Sequence, residues 1–578
     1  MKWLLLLFLI GFTILPLASW GQPIHYSRGL LFNVTTSRDL VGYDPKYYSF
    51  EAFSIHPPNV TPIRVVLAKN ITIGATGLTP IVRKVDIPKG NYSLILLNIS
   101  INETNGTQFD RAAYVFVNGV PVFWGSTQEI LNSTAESDLT LFENLLQGNV
   151  TFQIVIPNFI DKAIGITGIY KVNATLYLYP GPRPQGLPNQ FIPLFLNSLN
   201  YSYIVLNPTH PSYSESLNIP NGTYRDLLLL YEEGGGNDEF WYTNEPATRS
   251  ILVRYDSLLA GVVNPYETIY TGGIDLFAWK PLTSINTLSF HTPYLMELTP
   301  LLALGLHPTL SLTVSNLQEA KVLTGSNAFD WDLAGVLLLW VNSSNPLVSA
   351  NFTRAMGSFM DSSPIFQPGF SGTYYQENGH YSIEYASVLK FLHGSESSAV
   401  TQRGTFEAFQ QFNTYFQYAQ LDENFYESSS DTGMYNASMI IEGSFPITFN
   451  FVAFETPITS PTVIPFNATY VQNGTITLGL SYYSQYIFGK YNATTIIHEN
   501  ETSIGGFAGV LEIINQYGGA VLVSLTSNNA LTTKSLIAYY LINGGGYEQS
   551  FLAQGLQNST SNTSGYLIHL QNSYTTIN

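Results

Sequence analysis

Ala112-Ala-Tyr-Val-Phe-Val117, then Asn118-Gly119, then Val120-Pro-Val-Phe-Trp124 is the stretch that decides the fold. Two short runs of β-branched and aromatic residues flank a dipeptide that tolerates positive φ at both positions. Asn-Gly between such runs is the strongest short-range signal for a two-residue β-hairpin. Working outward, Tyr92–Ile101 alternates as a strand, and Val150–Ile156 and Tyr170–Tyr179 read as two more. Asp138–Leu146 reads as one short helix with Asp138 at its N-cap. Elsewhere Tyr, Val, Ile, Thr and Phe dominate, Gly and Pro punctuate at short intervals, and stretches of 3.6-residue period are scarce. That is an all-β pattern.

Pro180-Gly-Pro-Arg-Pro-Gln-Gly-Leu-Pro188 cannot continue a sheet, so residues 181–190 read as a linker. The regions on either side, 22–180 and 191–345, are each about the size of a jelly-roll sandwich. Strands of the second include Arg225–Tyr231, Ser250–Tyr255, Thr309–Val314 and Gly335–Trp340. Past Asn342 the pattern stays β-like but shows no obvious hairpins, and Thr456–Pro465 reads as a second linker. The expected architecture is therefore two tandem antiparallel jelly-roll sandwiches followed by further C-terminal β-sandwich domains. These comprise a third β domain over 346–455 and a β region with a polar tail over 456–578, with strands such as Ala520–Leu525 and Leu536–Ile542.

Composition narrows the function classes. The 578 residues contain no cysteine, which removes disulfides and thiolate metal sites. Charged residues are only 11% of the chain, against about a quarter in ordinary proteins. The formal charge of −17 argues against nucleic acid as a partner. With only 23 Lys and Arg, the chain gains little self-repulsion when its carboxylates protonate, so service in acidic or hot surroundings is expected. Residues 1–21 read as a secretory signal: one Lys, an apolar run from Trp3 to Leu17, then small residues. An uncleaved N-terminal anchor is the rival reading. No later run is long enough to span a bilayer, and there are roughly twenty Asn-X-Ser/Thr acceptors, among them Asn33, Asn98, Asn132, Asn173, Asn351 and Asn562. A secreted or cell-surface glycoprotein is expected.

The chemistry-bearing stretch is Gly234-Gly-Gly-Asn-Asp-Glu-Phe-Trp-Tyr-Thr-Asn244, entered from the apolar strand Leu227–Tyr231. Carboxylates beside aromatics suit a carbohydrate: rings stack on sugar C–H faces while carboxylates bind hydroxyls or move protons. A Ca²⁺ loop completed by Glu232 and Glu233 is the competing reading. The nine histidines form no zinc-hydrolase motif, and Gly369-Phe-Ser-Gly372 has the wrong spacing for a nucleophile elbow. Neither Gly234–Gly236 nor Gly544–Gly546 is followed by the Lys-Ser/Thr of a phosphate loop. Glycan processing or glycan binding remains.

Several segments resemble the acid glycoamidase family, PNGase A type, whose members cleave N-linked glycans from asparagine. Gln108-Phe-Asp-Arg-Ala-Ala-Tyr-Val-Phe-Val-Asn-Gly119 is similar to the family's Phe-Asp-Arg hairpin. Ser126-Thr-Gln-Glu129 stands where the family has Cys-Thr-Ala-Glu, and Asn237–Asn244 is close to a further motif. Tyr270-Thr-Gly-Gly-Ile-Asp-Leu-Phe-Ala-Trp-Lys-Pro281 and Leu333–Trp340 look like later segments, all in family order. The bacterial PNGase F enzymes resemble the chain more distantly. The resemblance implies two jelly rolls with the active site in the cleft between them, hydrolysis of the amide between N-acetylglucosamine and asparagine in a glycoprotein or glycopeptide, and no cofactor or metal.

It also implies roles for residues. Asp110 is the expected base and Glu239 its partner at the leaving glycosylamine. Two carboxylates across one cleft hold their ionisations apart, so that one stays protonated as acid. Arg111 either stabilises charge at the site or forms a structural salt bridge. Glu129 is expected at the substrate. Asn158 falls where PNGase F has a further glutamate, so it is counted at the substrate surface without supplying a carboxylate. Asp238 is counted at the substrate surface, as a residue that shapes the loop rather than as a third catalyst. Trp124, Trp241, Tyr242 and Trp279 are candidate sugar platforms, though a Trp in a β-sandwich is commonly core. Beside Asp110, the Asn237–Asn244 loop reads as half of a site, and the Ca²⁺ reading recedes. A non-catalytic glycan-binding or cell-surface structural protein is the alternative.

Overall fold

The computed structural model describes residue 55 and residues 57–106, 111–127, 132–162, 166–239, 241–265, 293–362, 365–369, 372–413, 416–459, 466–513, 520–559 and 565–577. The N-terminal segment read as a signal lies outside them.

The first sandwich contains β1 (Ile63–Ile73), β2 (Ile81–Ile87), β3 (Tyr92–Thr104), β4 (Ala112–Val117), β5 (Val120–Ser126), β6 (Asn132–Asp138), β7 (Gly148–Val155) and β8 (Ile169–Pro180). They form two four-stranded sheets, ordered β1-β8-β3-β6 and β2-β7-β4-β5, every pairing antiparallel. This is the jelly-roll order. The Asn118-Gly119 hairpin forms in the expected register, Val117 opposite Val120 and Tyr114 opposite Trp124. Its two turn residues have φ of 50° and 82°. Glycine is required at the second position, because a Cβ on Gly119 would lie 2.9 Å from the carbonyl oxygen of Asn200. The helix expected over Asp138–Leu146 is only a 3-10 turn, Thr140–Phe142. Leu139, Phe142 and Leu146 are all buried, and the chain passes from this turn into β7 at Gly148. Asp138 still accepts the Thr140 amide at 2.8 Å.

The same order recurs after the proline-rich segment. β10 (Ile204–Leu206), β17 (Phe329–Val341), β12 (Thr223–Gly236) and β15 (Tyr294–Glu297) form one sheet, with β9 (Gln190–Pro193) added alongside β17. β11 (Ser212–Ser216), β16 (Thr309–Val314), β13 (Ile251–Tyr255) and β14 (Leu258–Val263) form the other. A helix, α1 (Leu317–Thr324), precedes β17.

The β10-β17-β12-β15 sheet explains the unbroken apolar runs Leu227–Leu230 and Val336–Leu339. Side chains alternate between faces. Leu228, Leu230, Leu333, Leu337 and Leu339 enter the core of the second sandwich. Leu227, Leu229, Tyr231, Ala334, Val336, Leu338 and Trp340 enter the core that belongs mainly to the first. Both faces are buried, which is why neither strand alternates apolar with polar.

The C-terminal region departs from expectation. In place of a third sandwich and a separate terminal domain, residues 347–577 form one antiparallel 12-stranded sheet. Its strands are β18 (Leu347–Asp361), β19 (Ile365–Gly369), β20 (Gly372–Phe391), β21 (Gly394–Phe412), β22 (Phe416–Gly433), β23 (Asn436–Ser444), β24 (Ile447–Pro457), β25 (Phe466–Phe488), β26 (Tyr491–Ile513), β27 (Ala520–Ile542), β28 (Gly545–Ser559) and β29 (Gly565–Ile577). The segment read as a second linker does not separate two units: β24 and β25 pair directly, from Ile447 opposite Leu478 to Pro457 opposite Ala468. The hairpins were present in the sequence after all, since Asn543 (φ 52°) and Gly544 (φ 90°) turn β27 into β28. One face packs on the second sandwich, and Tyr381, Ile383, Phe449 and Leu478 share its core. Among the described residues no helix is long and apolar enough to cross a membrane.

Candidate active site

The chain reaches the candidate loop along β12, and its glycines have distinct duties. A Cβ on Gly234 would lie 2.3 Å from the Asp238 carbonyl oxygen, so only glycine lets the turn fold back so tightly. Gly236 has φ 61°, and a Cβ there would meet Ala328 O at 2.5 Å. The turn closes through Asp238 N to Gly235 O (3.0 Å) and Glu239 N to Gly236 O (3.4 Å).

The two carboxylates of the turn part company. Asp238 is fully buried. It accepts from Arg249 through Nε (2.7 Å) and Nη2 (2.9 Å), from Asn244 Nδ2 (2.7 Å) and from Trp331 Nε1 (2.7 Å). A carboxylate has room for about four such bonds, so its capacity is filled. It shapes the loop and cannot reach a substrate, which corrects its assignment to the substrate surface. Glu239, the next residue, is half-buried. A Ca²⁺ loop does not form here, because the acids face different ways. Glu232 accepts from Tyr294 Oη (3.2 Å), Glu233 from Tyr114 Oη (2.9 Å), and Asp238 is enclosed as above. Burial pushes the Glu232 carboxyl up to about 8.

The aromatic candidates also sort by exposure. Trp124, Trp241 and Tyr242 are 1%, 1% and 2% exposed, so none offers a ring face to a sugar. Trp241 and Tyr242 belong to the second sandwich's core. Trp124 stacks on Tyr114 at 3.7 Å and on Tyr231 at 5.8 Å, a three-ring pile across the junction of the two sandwiches. Asn158 is likewise buried, its Nδ2 donating to Gly168 O at 3.2 Å and its carbonyl accepting from Gly77 N at 3.1 Å. It holds two loops together and lines no surface. Asp110, Glu129 and Trp279 lie outside the described residues.

Arg111, which follows Asp110, is half-buried, with its guanidinium 4.3 Å from the Phe159 ring centroid. Its backbone is clamped to Thr127: Arg111 N donates to Thr127 Oγ1 (2.8 Å) and Thr127 N to Arg111 O (2.6 Å). Phe159 is 46% exposed and is the solvent-facing aromatic beside this strand, a platform candidate that sequence reasoning passed over.

A second cluster was also missed. Tyr114 Oη on β4 lies 2.9 Å from a carboxylate oxygen of Glu233 on β12 and 2.9 Å from one of Asp332 on β17, its single proton shared between the two. Those two acids face each other across the β12–β17 register. They continue the same alternation as Leu229, Tyr231, Ala334 and Val336, so the face that is apolar along the junction becomes acidic at its end. Burial raises the Asp332 carboxyl to about 6, against the lowering effect of hydrogen bonds from Tyr203 and Tyr114. The Asp330-Trp-Asp332 alternation was readable as a signal. That it faces the first sandwich was not. Among the described residues no group of three or more His, Asp or Glu side chains is placed to hold a metal ion.

A model of the family described as peptide N-acetyl-beta-D-glucosaminyl asparaginase amidase A matches residues 57–356, which takes in both sandwiches and ends within β18. The peptide-N4-(N-acetyl-beta-glucosaminyl)asparagine amidase A of Prunus dulcis is 28% identical over 298 residues, 45% of this chain and 48% of that protein. The chain thus spans about half the length of the curated relative it matches. Among solved structures, it is similar to PNGase F of Flavobacterium meningosepticum, with TM-score 0.36 and 13% identity over 49% of this chain and 96% of that one. It is similar too to PNGF-II, with TM-score 0.36 and 15% identity over 49% and 65%.

Proposed function

The chain belongs to the peptide N-acetyl-beta-D-glucosaminyl asparaginase amidase A family, and from that premise we propose that it is a peptide N-glycosidase. It hydrolyses the amide between N-acetylglucosamine and the asparagine side chain of a glycoprotein or glycopeptide. Water adds to the side-chain carbonyl carbon, the carbon–nitrogen bond breaks, and the nitrogen leaves with the sugar as a glycosylamine while asparagine becomes aspartate. Asp110 takes the proton of the attacking water, and Glu239 supplies one to the departing nitrogen. Arg111 lies next to the base in the chain and stabilises the oxyanion. The observation that carries the reading is the family match across both jelly rolls, together with a half-buried Glu239 held on a turn whose other carboxylate is fully engaged.

Incubation with a defined glycopeptide tests it. The expected product is a sugar-free peptide with aspartate at the former glycosylation site, identified by mass. A peptide that keeps one sugar would make the protein a glycoside hydrolase, and a glycopeptide bound but intact would make it a binding protein.

The same reading takes the apolar run from Trp3 to Leu17 as a secretion signal and the protein as a secreted or cell-surface glycoprotein working in acid. Support comes from the density of acceptor tripeptides and the scarcity of Lys and Arg. N-terminal sequencing of the exported protein tests the signal, a start at Met1 overturning it.

A further inference from the structure

The segment between the Asn237–Glu239 turn and β13 has no ladder of its own. Residues 241–250 run as a 3-10 turn, bends and open chain, yet almost every one is buried. Buried backbone groups of this kind need partners from elsewhere. Most find them within the second sandwich: Asn244 N donates to Trp241 O, Arg249 Nη1 to Pro246 O and Thr248 O, and Ser250 pairs with Ser315, whereas the Asn244 carbonyl is met from the C-terminal sheet.

We infer that Gln410 on β21 and Glu377 on β20 are positioning residues for the proposed reaction, bracing the Glu239 turn from outside the family-matched region. The inference rests on the reading that Glu239 serves that reaction. Two hydrogen-bonded arms carry it. In the first, Gln410 Nε2 donates to Asn244 O at 2.7 Å. Asn244 Nδ2 then donates to Asn237 O at 2.6 Å and to Asp238 Oδ1 at 2.7 Å, which are the two residues preceding Glu239. In the second, the Thr248 hydroxyl donates to Glu377 Oε2. Glu377 is itself fixed by Tyr375 Oη (2.8 Å) and Asn316 Nδ2 (2.6 Å). Arg249, bonded to Thr248 in the chain, grips Asp238 with two nitrogens. Gln410 and Glu377 are 0% exposed, so neither has water as an alternative partner. Both arms end on the same short turn, and both start from residues beyond 356, where the family match stops. A catalytic group carried on a turn is only as well placed as the shell that holds it.

The test uses the full chain and a matched control. Gln402 lies on the same strand, is also buried, and also joins the sheet to the second sandwich, accepting from Val262 N (2.9 Å) while its Nε2 donates to Glu427 on the neighbouring β22 (3.2 Å), but among the described residues it has no bonded path to the turn. Gln410→Leu should raise hydrogen–deuterium exchange in the peptide covering residues 234–244. It should also lower kcat on a glycopeptide by about 10- to 100-fold with KM held within about twofold. Gln402→Leu should do neither. Should Gln410→Leu fail to fold, Thr248→Val removes the second arm and is held to the same two readouts. Exchange unchanged from the parent, or equal effects from Gln410→Leu and Gln402→Leu, overturns the brace. Full activity in Glu239→Gln overturns the site assignment instead, while the exchange data still decide whether the sheet holds the turn.

Discussion

Asp238 and Glu239 are chain neighbours with opposite surroundings, and substitution separates them. Asp238→Asn weakens four hydrogen bonds and leaves the Arg249 guanidinium buried without its counter-charge. Breaking a buried pair in this way costs about 3–5 kcal/mol, which denaturant unfolding will read as a lowered midpoint. Glu239→Gln should leave stability within about 0.5 kcal/mol while lowering kcat by about 10²- to 10⁴-fold. Trp124→Ala should behave like Asp238→Asn, losing about 3–5 kcal/mol as a large core ring is deleted. A selective rise in KM with unchanged stability would return Trp124 to the substrate surface. The sequence showed two adjacent acids and could not rank them by exposure. Their difference is made by Arg249, Asn244 and Trp331, partners set by how a turn, a loop and a distant strand meet.

At the level of strands, legibility followed locality. The Asn118-Gly119 hairpin, β3, β8 and β16 were readable because turn chemistry and side-chain alternation are written within about ten residues. The long C-terminal sheet was not, although it uses the same Asn-Gly device at 543–544. Its strands β25, β26 and β27 are 23 residues each, and Ser, Thr, Asn and Gly blur the alternation that a shorter window looks for. The acidic end of the β12–β17 face was hidden for a related reason, since the alternation was visible but its neighbour was not. Tyr114→Phe tests that junction. Removing the hydroxyl takes from Asp332 a hydrogen bond that favours its charged form, so the carboxyl should titrate above its present value of about 6. Carboxyl chemical shifts followed by NMR against pH will show the direction, and an unshifted or lower value would detach Asp332 from Tyr114.

Across the whole molecule the notable economy of charge takes a specific form: carboxyls buried where the C-terminal sheet meets the second sandwich. Burial pushes Glu232, Glu245 and Glu427 from 4.5 to about 8, and raises Asp226 and Glu423 well above the usual range. These groups stay protonated in the folded chain where the unfolded chain has already released its protons. The stability they allow is therefore fully present below about 4.5 and is lost as pH rises through about 8. The loss amounts to several kcal/mol, and the thermal midpoint should fall by roughly 10 °C between those limits. A midpoint that rises over this window would contradict the burial of these acids. The sheet ordered β10-β17-β12-β15 sets a different condition on the molecule. Because apolar side chains leave it in both directions, neither sandwich is a free-standing soluble object. A chain begun after the proline-rich segment would present Leu227, Leu229, Tyr231, Val336, Leu338 and Trp340 to water as one continuous greasy plate. Cleavage inside residues 181–189 should therefore yield two pieces that co-elute in size-exclusion chromatography, and the second piece produced by itself should precipitate. Inheritance of the two sandwiches as an inseparable couple is then a matter of solubility before it is one of chemistry.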